Sequence, residues 1–261
     1  MPLAYDPVAQ ALVRAWPGLR LEVADSIDST NAELMRRTRD GQTQAALLVA
    51  RQQTAGRGRL GRQWLSAAGV GAEATSLTFS LSLPLAPHDW AGLSLAVGVS
   101  LAESLHPELR LKWPNDLWLD GRKLGGVLIE TAGVEGRRQA IIGVGINLGW
   151  RDGSGLARAP AWLGELLPGI DAPGVLLRLA EPLLGAITEF ESLGFAPFHA
   201  RFEQRDALRG TVVALNDGTV GEAQGVNGSG ALMVRTAQGL QAVSSAEISL
   251  RGPAGTSGVV V

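Results

Sequence analysis

The sequence predicts an α+β protein, in which a mixed, mostly antiparallel sheet flanked by helices precedes a small C-terminal β-barrel. Strands and helices alternate early in the chain, but the middle contains three or four strands in succession, with Asp120-Gly121 as a hairpin turn. From Thr211 onward, short strands recur roughly every 8 to 12 residues and are joined by turn dipeptides, a pattern typical of a small barrel.

The periodicity of the apolar residues predicts the individual elements. Thr30 and Glu33 form a capping box that opens a helix directly after the first strand. The predicted strands are 21–27, 46–53 and 75–83, and the predicted helices are about 31–38, 90–105, 174–191 and 196–208. We therefore expect a catalytic domain at 1–208, the barrel at 209–252 and a frayed tail at 253–261.

Composition excludes several classes of function. Of the 261 residues, 46% are hydrophobic and 18% charged, which is typical of a soluble globular chain. A net charge of -2 gives no overall basic field for nucleic acid. With no cysteine and only three histidines, disulfides, thiolate metal sites and a cysteine nucleophile are excluded, and a multi-histidine site is disfavoured. No signal peptide or membrane span is evident, so a cytoplasmic location is expected.

An arginine-rich, glycine-rich loop is the first candidate site. Between Gly41 and Ala72 there are four arginines and no acidic residue, and the arginines are Arg51, Arg57, Arg59 and Arg62. Guanidinium groups match phosphate and carboxylate, so the run GRGRLG at 56–61 predicts an anion clamp rather than a solvated basic loop. The same run fits a dinucleotide fingerprint, but neither a periodic helix nor a ribose-binding acid follows it.

The second candidate site is the segment KWPNDLWLDGRKLGG at 112–126. Lys123 sits where a hairpin returns into an apolar strand, and a lysine near a sheet interior needs an anionic partner. Asn115 and Asp116 are equally compatible with a simple turn after proline.

Three further positions are less specific. The polar run Asp28 to Asn31 exceeds what helix capping requires. Asn147 ends a buried strand and is either a hydrogen-bonding group or an ordinary strand end. Trp162 is either a core residue or a surface on which a base stacks.

Taken together, these motifs resemble the biotin protein ligases. DSIDSTN, RQQTAGRGRLGRQW, LKWPNDLWLDGRKLGGVLIE and IIGVGINLG occur in the family's order, and the resemblance covers about residues 21–251. It implies a class II synthetase-like catalytic fold with an SH3-like C-terminal barrel. Only about 20 residues precede the first predicted strand, so the chain resembles the monofunctional ligases that lack a DNA-binding domain. The loop's long continuation, SAAGVGAEATS, departs from the family pattern.

The resemblance implies an activity with two half-reactions. Biotin and ATP, with Mg2+ accompanying the nucleotide, give biotinyl-5'-AMP and pyrophosphate. The biotinyl group then passes to a lysine of a biotin carboxyl carrier protein domain of a carboxylase. No DNA and no membrane partner is implied, and a homodimer is left open.

The resemblance also implies roles for individual residues. The implied biotin-binding residues are Ser29, Thr30, Asn31, Gln53, Arg57, Gly58, Arg59 and Lys123. The implied nucleotide-binding residues are Arg57, Arg59, Trp64, Asn115, Lys123, Asn147 and Trp162. Lys123, Arg59 and Asp116 are the catalytic candidates: Lys123 would bridge carboxylate and α-phosphate, Arg59 would retain the adenylate, and Asp116 would take a proton from the carrier lysine. No metal ligand is assigned.

Two alternatives are compared with this interpretation. A lipoate or octanoate ligase would share the architecture and the adenylate chemistry but lacks the GRGR-x-GR and KWPND pair. A non-catalytic adaptor would bind nucleic acid or peptide through the barrel. That barrel contains no aromatic residue, and its three arginines are balanced by three acidic residues, so a base-stacking or basic surface is not predicted.

Overall fold

The fold is described from a computed structural model covering residues 3–66, 75–134, 137–151, 153, 158–244, 248–251 and 259–260. Its larger sheet has seven strands in the order β1-β2-β3-β7-β6-β5-β4. They are β1 (Arg20–Ile27), β2 (Ala46–Gln53), β3 (Ser76–Pro84), β4 (Arg110–Lys112), β5 (Asp116–Leu119), β6 (Arg122–Val134) and β7 (Arg137–Asn147). β1 and β2 are parallel and all other neighbours are antiparallel, so the predicted mixed, mostly antiparallel sheet is confirmed.

Five α-helices lie within the described residues: α1 (Asp6–Ala15), α2 (Thr30–Arg39), α3 (Leu93–Leu105), α4 (Ala172–Leu193) and α5 (Ala196–Glu203). The sequence did not predict α1. It packs against α4, which also packs against the buried helix α3. α5 ends at Glu203, before the predicted 208, because the chain there turns to bond with β4: Leu111 N donates to Arg205 O and Ala207 N donates to Leu111 O. None of the described helices is long and apolar enough to cross a membrane.

The two faces of β3 have different chemistry, and this separates the core from the site. Leu77, Phe79, Leu81 and Leu83 belong to the main hydrophobic core. The alternate residues Ser76, Thr78, Ser80 and Ser82 are also buried, but they bear hydroxyl groups. Since successive side chains of a strand point to opposite faces, the sheet has an apolar face toward the core and a hydroxyl face on the other side.

The second sheet has the strand order β11-β10-β9-β8-β12-β13 and is antiparallel throughout. Its strands are β8 (Val212–Leu215), β9 (Val220–Val226), β10 (Leu232–Thr236), β11 (Gly239–Val243), β12 (Ile248–Arg251) and β13 (Val259–Val260). The expected run of short C-terminal strands is therefore confirmed. Of the predicted tail, 253–258 and 261 lie outside the described residues. The domain limits 1–208 and 209–252 stay a prediction.

Side-chain hydrogen bonds within the described residues join this second sheet to the larger domain. Trp113 Nε1 donates to Gly230 O at 2.9 Å, and His199 Nε2 lies 2.7 Å from Val226 O. Trp113 is a buried residue of the KWPND segment. The smaller sheet is thus attached directly to the predicted site.

Candidate active site

A cavity of about 510 Å3 lies over the hydroxyl face of the larger sheet, within the size range of small-molecule sites. It is lined by the turn before α2, the arginine-rich loop, the segment 112–123, the ends of β6 and β7, and the loop at 158–160. Ala214, Leu215, Asn216 and Ile248 of the smaller sheet complete the wall. The two candidate sites found in the sequence therefore face one cavity.

Glycines form the floor of this cavity. Gly126 of β6 pairs with Gly145 of β7, and Gly143 lies two residues before it on the same strand. A Cβ atom on Gly145 would lie 2.5 Å from Trp64 Cε2, and one on Gly143 would clash with the Asn31 side chain. The indole and the amide can approach the backbone only because these positions carry no side chain.

A buried network of hydroxyl and amide groups forms one end of the cavity. Ser29 is the N-cap of α2. Thr30 donates to Gln53 Oε1 through its backbone N at 2.7 Å and its Oγ1 at 3.1 Å. Ser80 Oγ lies 2.7 Å from Thr30 Oγ1 and 2.6 Å from Asn31 Oδ1. The network carries no net charge and is suited to a neutral, hydrogen-bonding ligand group.

Asn31 is held in one orientation by the protein. Its Nδ2 donates to Glu130 Oε2 at 2.9 Å and to Leu128 O at 3.3 Å. Ser80 donates to its Oδ1. Because both amide hydrogens are engaged, any remaining contact of Asn31 with a ligand is made by Oδ1 as an acceptor.

An ion pair supports the turn that carries these residues. Both guanidinium NH2 groups of Arg36 bond to the Asp28 carboxylate, at 2.7 and 2.9 Å. Asp28 Oδ1 also accepts from Ser29 N. Hydrogen bonding from Arg36 is the main cause that lowers the pKa of Asp28 to about 2. The carboxylate therefore fixes the backbone just before Ser29 and Thr30.

The arginine-rich loop folds over the cavity. Gly58 N donates to Arg62 O at 2.7 Å and Trp64 N donates to Gly56 O at 2.9 Å, which closes the loop on itself. Arg57, Arg59 and Arg62 line the cavity. Arg57 Nη1 also lies 3.8 Å from Glu130 Oε1. Arg51, the fourth arginine of the run, instead faces Asp25 of β1 at 3.4 Å and does not line the cavity.

Lys123 and Asp116 form an ion pair on the opposite wall. Lys123 Nζ lies 2.6 Å from Asp116 Oδ1, and the lysine side chain is 46% exposed. The neighbouring Asn115 donates from Nδ2 to Val127 O at 2.8 Å, which holds the turn against β6. The anionic partner that Lys123 was expected to need is therefore supplied by the chain itself.

The far end of the cavity is formed around Asn147. Its Nδ2 donates to Ala161 O at 3.0 Å, and its Oδ1 accepts from Arg151 Nη1 at 2.9 Å. Arg158 and Pro160 also line this end, whereas Trp162 lies just beyond them and does not line the cavity. Asn147 is thus buried and bonded on both sides by protein groups.

The charge of the lining is strongly asymmetric. Among the described residues that line the cavity, eight side chains are cationic and only Asp116 is a carboxylate; the cations are Arg57, Arg59, Arg62, Lys112, Arg122, Lys123, Arg151 and Arg158. Arg122 is also paired with Glu165, at 2.5 Å. A cavity with this excess of positive charge is suited to a polyanionic ligand such as a nucleotide triphosphate.

Comparisons with known proteins agree with this geometry. Residues 23–147 match the family model "Biotin/lipoate A/B protein ligase family", and residues 209–251 match "Biotin protein ligase C terminal domain". The chain is 34% identical to the bifunctional ligase/repressor BirA of Escherichia coli, over 93% of this chain and 78% of that protein. It is 32% identical to the biotin--[acetyl-CoA-carboxylase] ligase of Paracoccus denitrificans, over 86% of this chain and 98% of that protein.

The chain belongs to the biotin protein ligase family. A solved structure supports the same assignment: the biotin protein ligase of Aquifex aeolicus in complex with biotin and ATP matches with a TM-score of 0.73. The match has 29% sequence identity and covers 90% of this chain and 99% of that chain.

Most residues that the resemblance to biotin protein ligases singled out lie together. All of them except Trp162 line the one cavity: Ser29, Thr30, Asn31, Gln53, Arg57, Gly58, Arg59, Trp64, Asn115, Asp116, Lys123 and Asn147. The roles assigned to them stay predictions.

Sequence reasoning missed several residues of the site, and three of these bond directly to predicted site residues. Ser80 and Glu130 both bond to Asn31, and Arg151 bonds to Asn147. The alternation TSLTFSLSL does show a hydroxyl face around Ser80. No pattern along the chain indicates that Glu130 or Arg151 lies close to its partner, because these contacts depend on the order of strands in the sheet.

Proposed function

We propose that this protein activates biotin with ATP to give biotinyl-5'-AMP and then transfers biotin to a lysine of a biotin carboxyl carrier domain. The observation that carries the proposal is a single cavity with a neutral end of amides and hydroxyls and a strongly cationic remainder. A bicyclic urea fits the first part and a triphosphate fits the second.

In the first half-reaction, a biotin carboxylate oxygen attacks the α-phosphorus of ATP and pyrophosphate leaves. Two anions must approach each other, so cations that neutralise both lower the barrier. Lys123 on one wall and Arg57 and Arg59 on the other supply this charge. The ureido ring is held by Ser29, Thr30 and Gln53, with Asn31 as an acceptor. The nucleotide side of the cavity is bordered by Asn147 and Trp64.

In the second half-reaction, the carrier lysine attacks the acyl carbonyl of the mixed anhydride, an amide forms and AMP leaves. The attacking amine must lose a proton. Asp116 is the only carboxylate among the described lining residues, so it is the group proposed to orient the amine and accept the proton. Lys123, 2.6 Å away, holds that carboxylate in place.

Mg2+ enters this scheme as part of the nucleotide substrate. Within the described residues no cluster of three histidine, cysteine, aspartate or glutamate side chains is present. Mg2+ is commonly bound by substrate phosphates and one or two carboxylates, and Asp116 beside a phosphate-binding cavity fits that mode. Asn115 and Asp116 are the residues proposed to face the metal-bearing phosphates.

The deciding experiment is ATP–pyrophosphate exchange with biotin, lipoate and octanoate offered in parallel. Exchange with biotin alone is expected, followed by labelling of a purified biotin carboxyl carrier domain. Exchange with lipoate or octanoate but not biotin would overturn the proposal. The lipoate alternative is not favoured, because the Paracoccus denitrificans relative and the solved Aquifex aeolicus structure are both named as biotin ligases.

Two further expectations belong to the proposal. The partner is the carrier domain of a biotin-dependent carboxylase, with acetyl-CoA carboxylase as the expected example. Homodimer formation, which the sequence leaves open, would be tested by sedimentation velocity with and without biotin and ATP.

A further inference from the structure

Arg151 is a cavity-lining arginine that neither the motifs nor the proposed mechanism uses. Its Nη1 donates to Asn147 Oδ1 at 2.9 Å and to Leu65 O at 2.8 Å. Its guanidinium carbon lies 6.0 Å from the centre of the Trp64 ring. The side chain is therefore fixed between the arginine-rich loop and the end of β7.

The charge of Arg151 is not compensated within the part of the chain that the structure describes. No ion pair joins it to a described carboxylate, unlike Arg122, which is paired with Glu165, and Lys123, which is paired with Asp116. Partial burial lowers the pKa of Arg151. Burying a cation is costly unless an anion lies close to it, and an anionic ligand in the cavity would reduce that cost.

Arg205 is a useful contrast because it is similarly half-buried. Its Nη1 donates to the carbonyl oxygens of His106, Pro107 and Leu109, and it lies away from the cavity. A half-buried arginine that bonds only to carbonyl oxygens, as Arg205 does, therefore has a structural role in this fold. Arg151 differs in facing a cavity and in bonding to a cavity residue, Asn147.

We infer that Arg151 is a further ligand-binding residue that contacts the α-phosphate of the nucleotide and of the acyl-adenylate. This inference rests on the proposed function. The geometry favours phosphate over the biotin carboxylate. Arg151 lies at the Asn147 end, and Asn147 is joined through Ala161 to the backbone of Lys123. The opposite end, at Thr30 and Gln53, is the neutral one.

The test compares AMP with adenosine as inhibitors competitive with ATP. In Arg151→Met, which keeps an unbranched apolar stem, AMP is expected to bind about tenfold or more weakly, because a charge-assisted bond is lost. Adenosine lacks the phosphate, so its inhibition constant is expected to change less than twofold. The KM for biotin is expected to stay within twofold, and Arg151→Lys is expected to recover part of the AMP affinity.

Arg205→Met is the matched control and is expected to leave the AMP-to-adenosine ratio unchanged. Thermal melts of all variants identify any loss of folding. Equal weakening of AMP and adenosine, or an unchanged affinity for AMP, would overturn the role of Arg151. If wild type forms no adenylate from biotin, the proposed function fails separately, and direct titration with AMP and adenosine still decides whether Arg151 binds phosphate.

Discussion

Lys123 Nζ and Asp116 Oδ1 are 2.6 Å apart across the hairpin formed by β5 and β6. Asp116 pairs in register with Gly126, and a Cβ atom there would lie 3.2 Å from Asp116 Oδ1 and 3.4 Å from Lys123 Nζ. The ion pair thus occupies the space that Gly126 leaves open. Lys123 is proposed to act in the first half-reaction and Asp116 chiefly in the second, so the two steps should respond differently to mutation.

Lys123→Met is expected to slow adenylate formation by about 100-fold or more, since it removes a cation from the developing charge. Single-turnover formation of biotinyl-5'-AMP measures this. Transfer from chemically supplied biotinyl-5'-AMP is expected to fall much less. Normal adenylate synthesis by the variant would refute the role of Lys123.

Asp116→Asn is expected to show the reverse pattern. The amide keeps the shape of the side chain but is a far poorer proton acceptor, so transfer to the carrier lysine should slow by about 100-fold. Adenylate formation should fall much less, because the amide oxygen that replaces the carboxylate can still face the metal-bearing phosphates. Raising the pH is expected to recover part of the transfer rate, because more of the attacking amine is then already deprotonated. A variant that transfers at the wild-type rate would contradict this role.

Arg59→Ala is expected to release the adenylate. Arg59 lines the cavity from the closed loop, so its loss opens the wall over the ligand while leaving Lys123 in place. Free biotinyl-5'-AMP should accumulate in solution and biotinylate unrelated lysines. Measuring adenylate in the filtrate after ultrafiltration tests this, and wild-type retention by the variant would count against the assignment.

Ser80→Ala and Ser82→Ala form a matched pair on β3. Both hydroxyls are buried, but Ser80 bonds to Thr30 and Asn31, whereas Ser82 accepts from Gln139 Nε2. Each loss should cost about 1–2 kcal/mol of unfolding free energy. Only Ser80→Ala is expected to raise the KM for biotin several-fold. Equal biotin KM values in the two variants would show that the Ser80 network does not position the biotin site.

The Asp28–Arg36 pair predicts a pH dependence of stability. Arg36 lowers the pKa of Asp28 from 3.8 to about 2, so the folded state favours the ionised carboxylate. Its contribution is present above pH 3.8 and is lost as the pH falls toward 2. Urea unfolding should show that Asp28→Asn is less stable than wild type at pH 7 and that the difference shrinks near pH 2. A difference independent of pH would contradict the assignment.

Local elements were predictable because their signals lie within a few residues. β2 was predicted at its observed limits, 46–53. The predicted Thr30–Glu33 capping box placed the start of α2 within one residue but named the wrong cap, because Ser29 is the N-cap and accepts from Ala32 N. The loop at 56–61 was recognised as an anion-binding candidate from its charge and glycine content, and the segment at 112–126 from the position of Lys123 in an apolar strand.

The contacts between distant segments were not predictable in the same way. Asn31 at the start of α2 can bond to Glu130 of β6 only because α2 packs across β3, β7 and β6. Which strands lie beneath the helix depends on the whole strand order. Likewise, Arg51 was counted with the uncompensated arginines between Gly41 and Ala72, although its partner Asp25 is on the neighbouring parallel strand. The local sequence pattern indicates residue type and periodicity, whereas the strand order of the sheet determines which distant residues come into contact.

The glycine floor restricts how this enzyme's substrate choice can change. Gly143 and Gly145 admit no side chain without displacing Asn31 or Trp64. At these two positions the base of the cavity is therefore covered by the Asn31 amide and the Trp64 indole, and neither glycine can be enlarged to reshape it. New acyl preferences would have to arise at the rim, through the turn before α2, the arginine loop or the hairpin. Gly143 and Gly145 would stay glycine in every variant that keeps Asn31 and Trp64 in these positions.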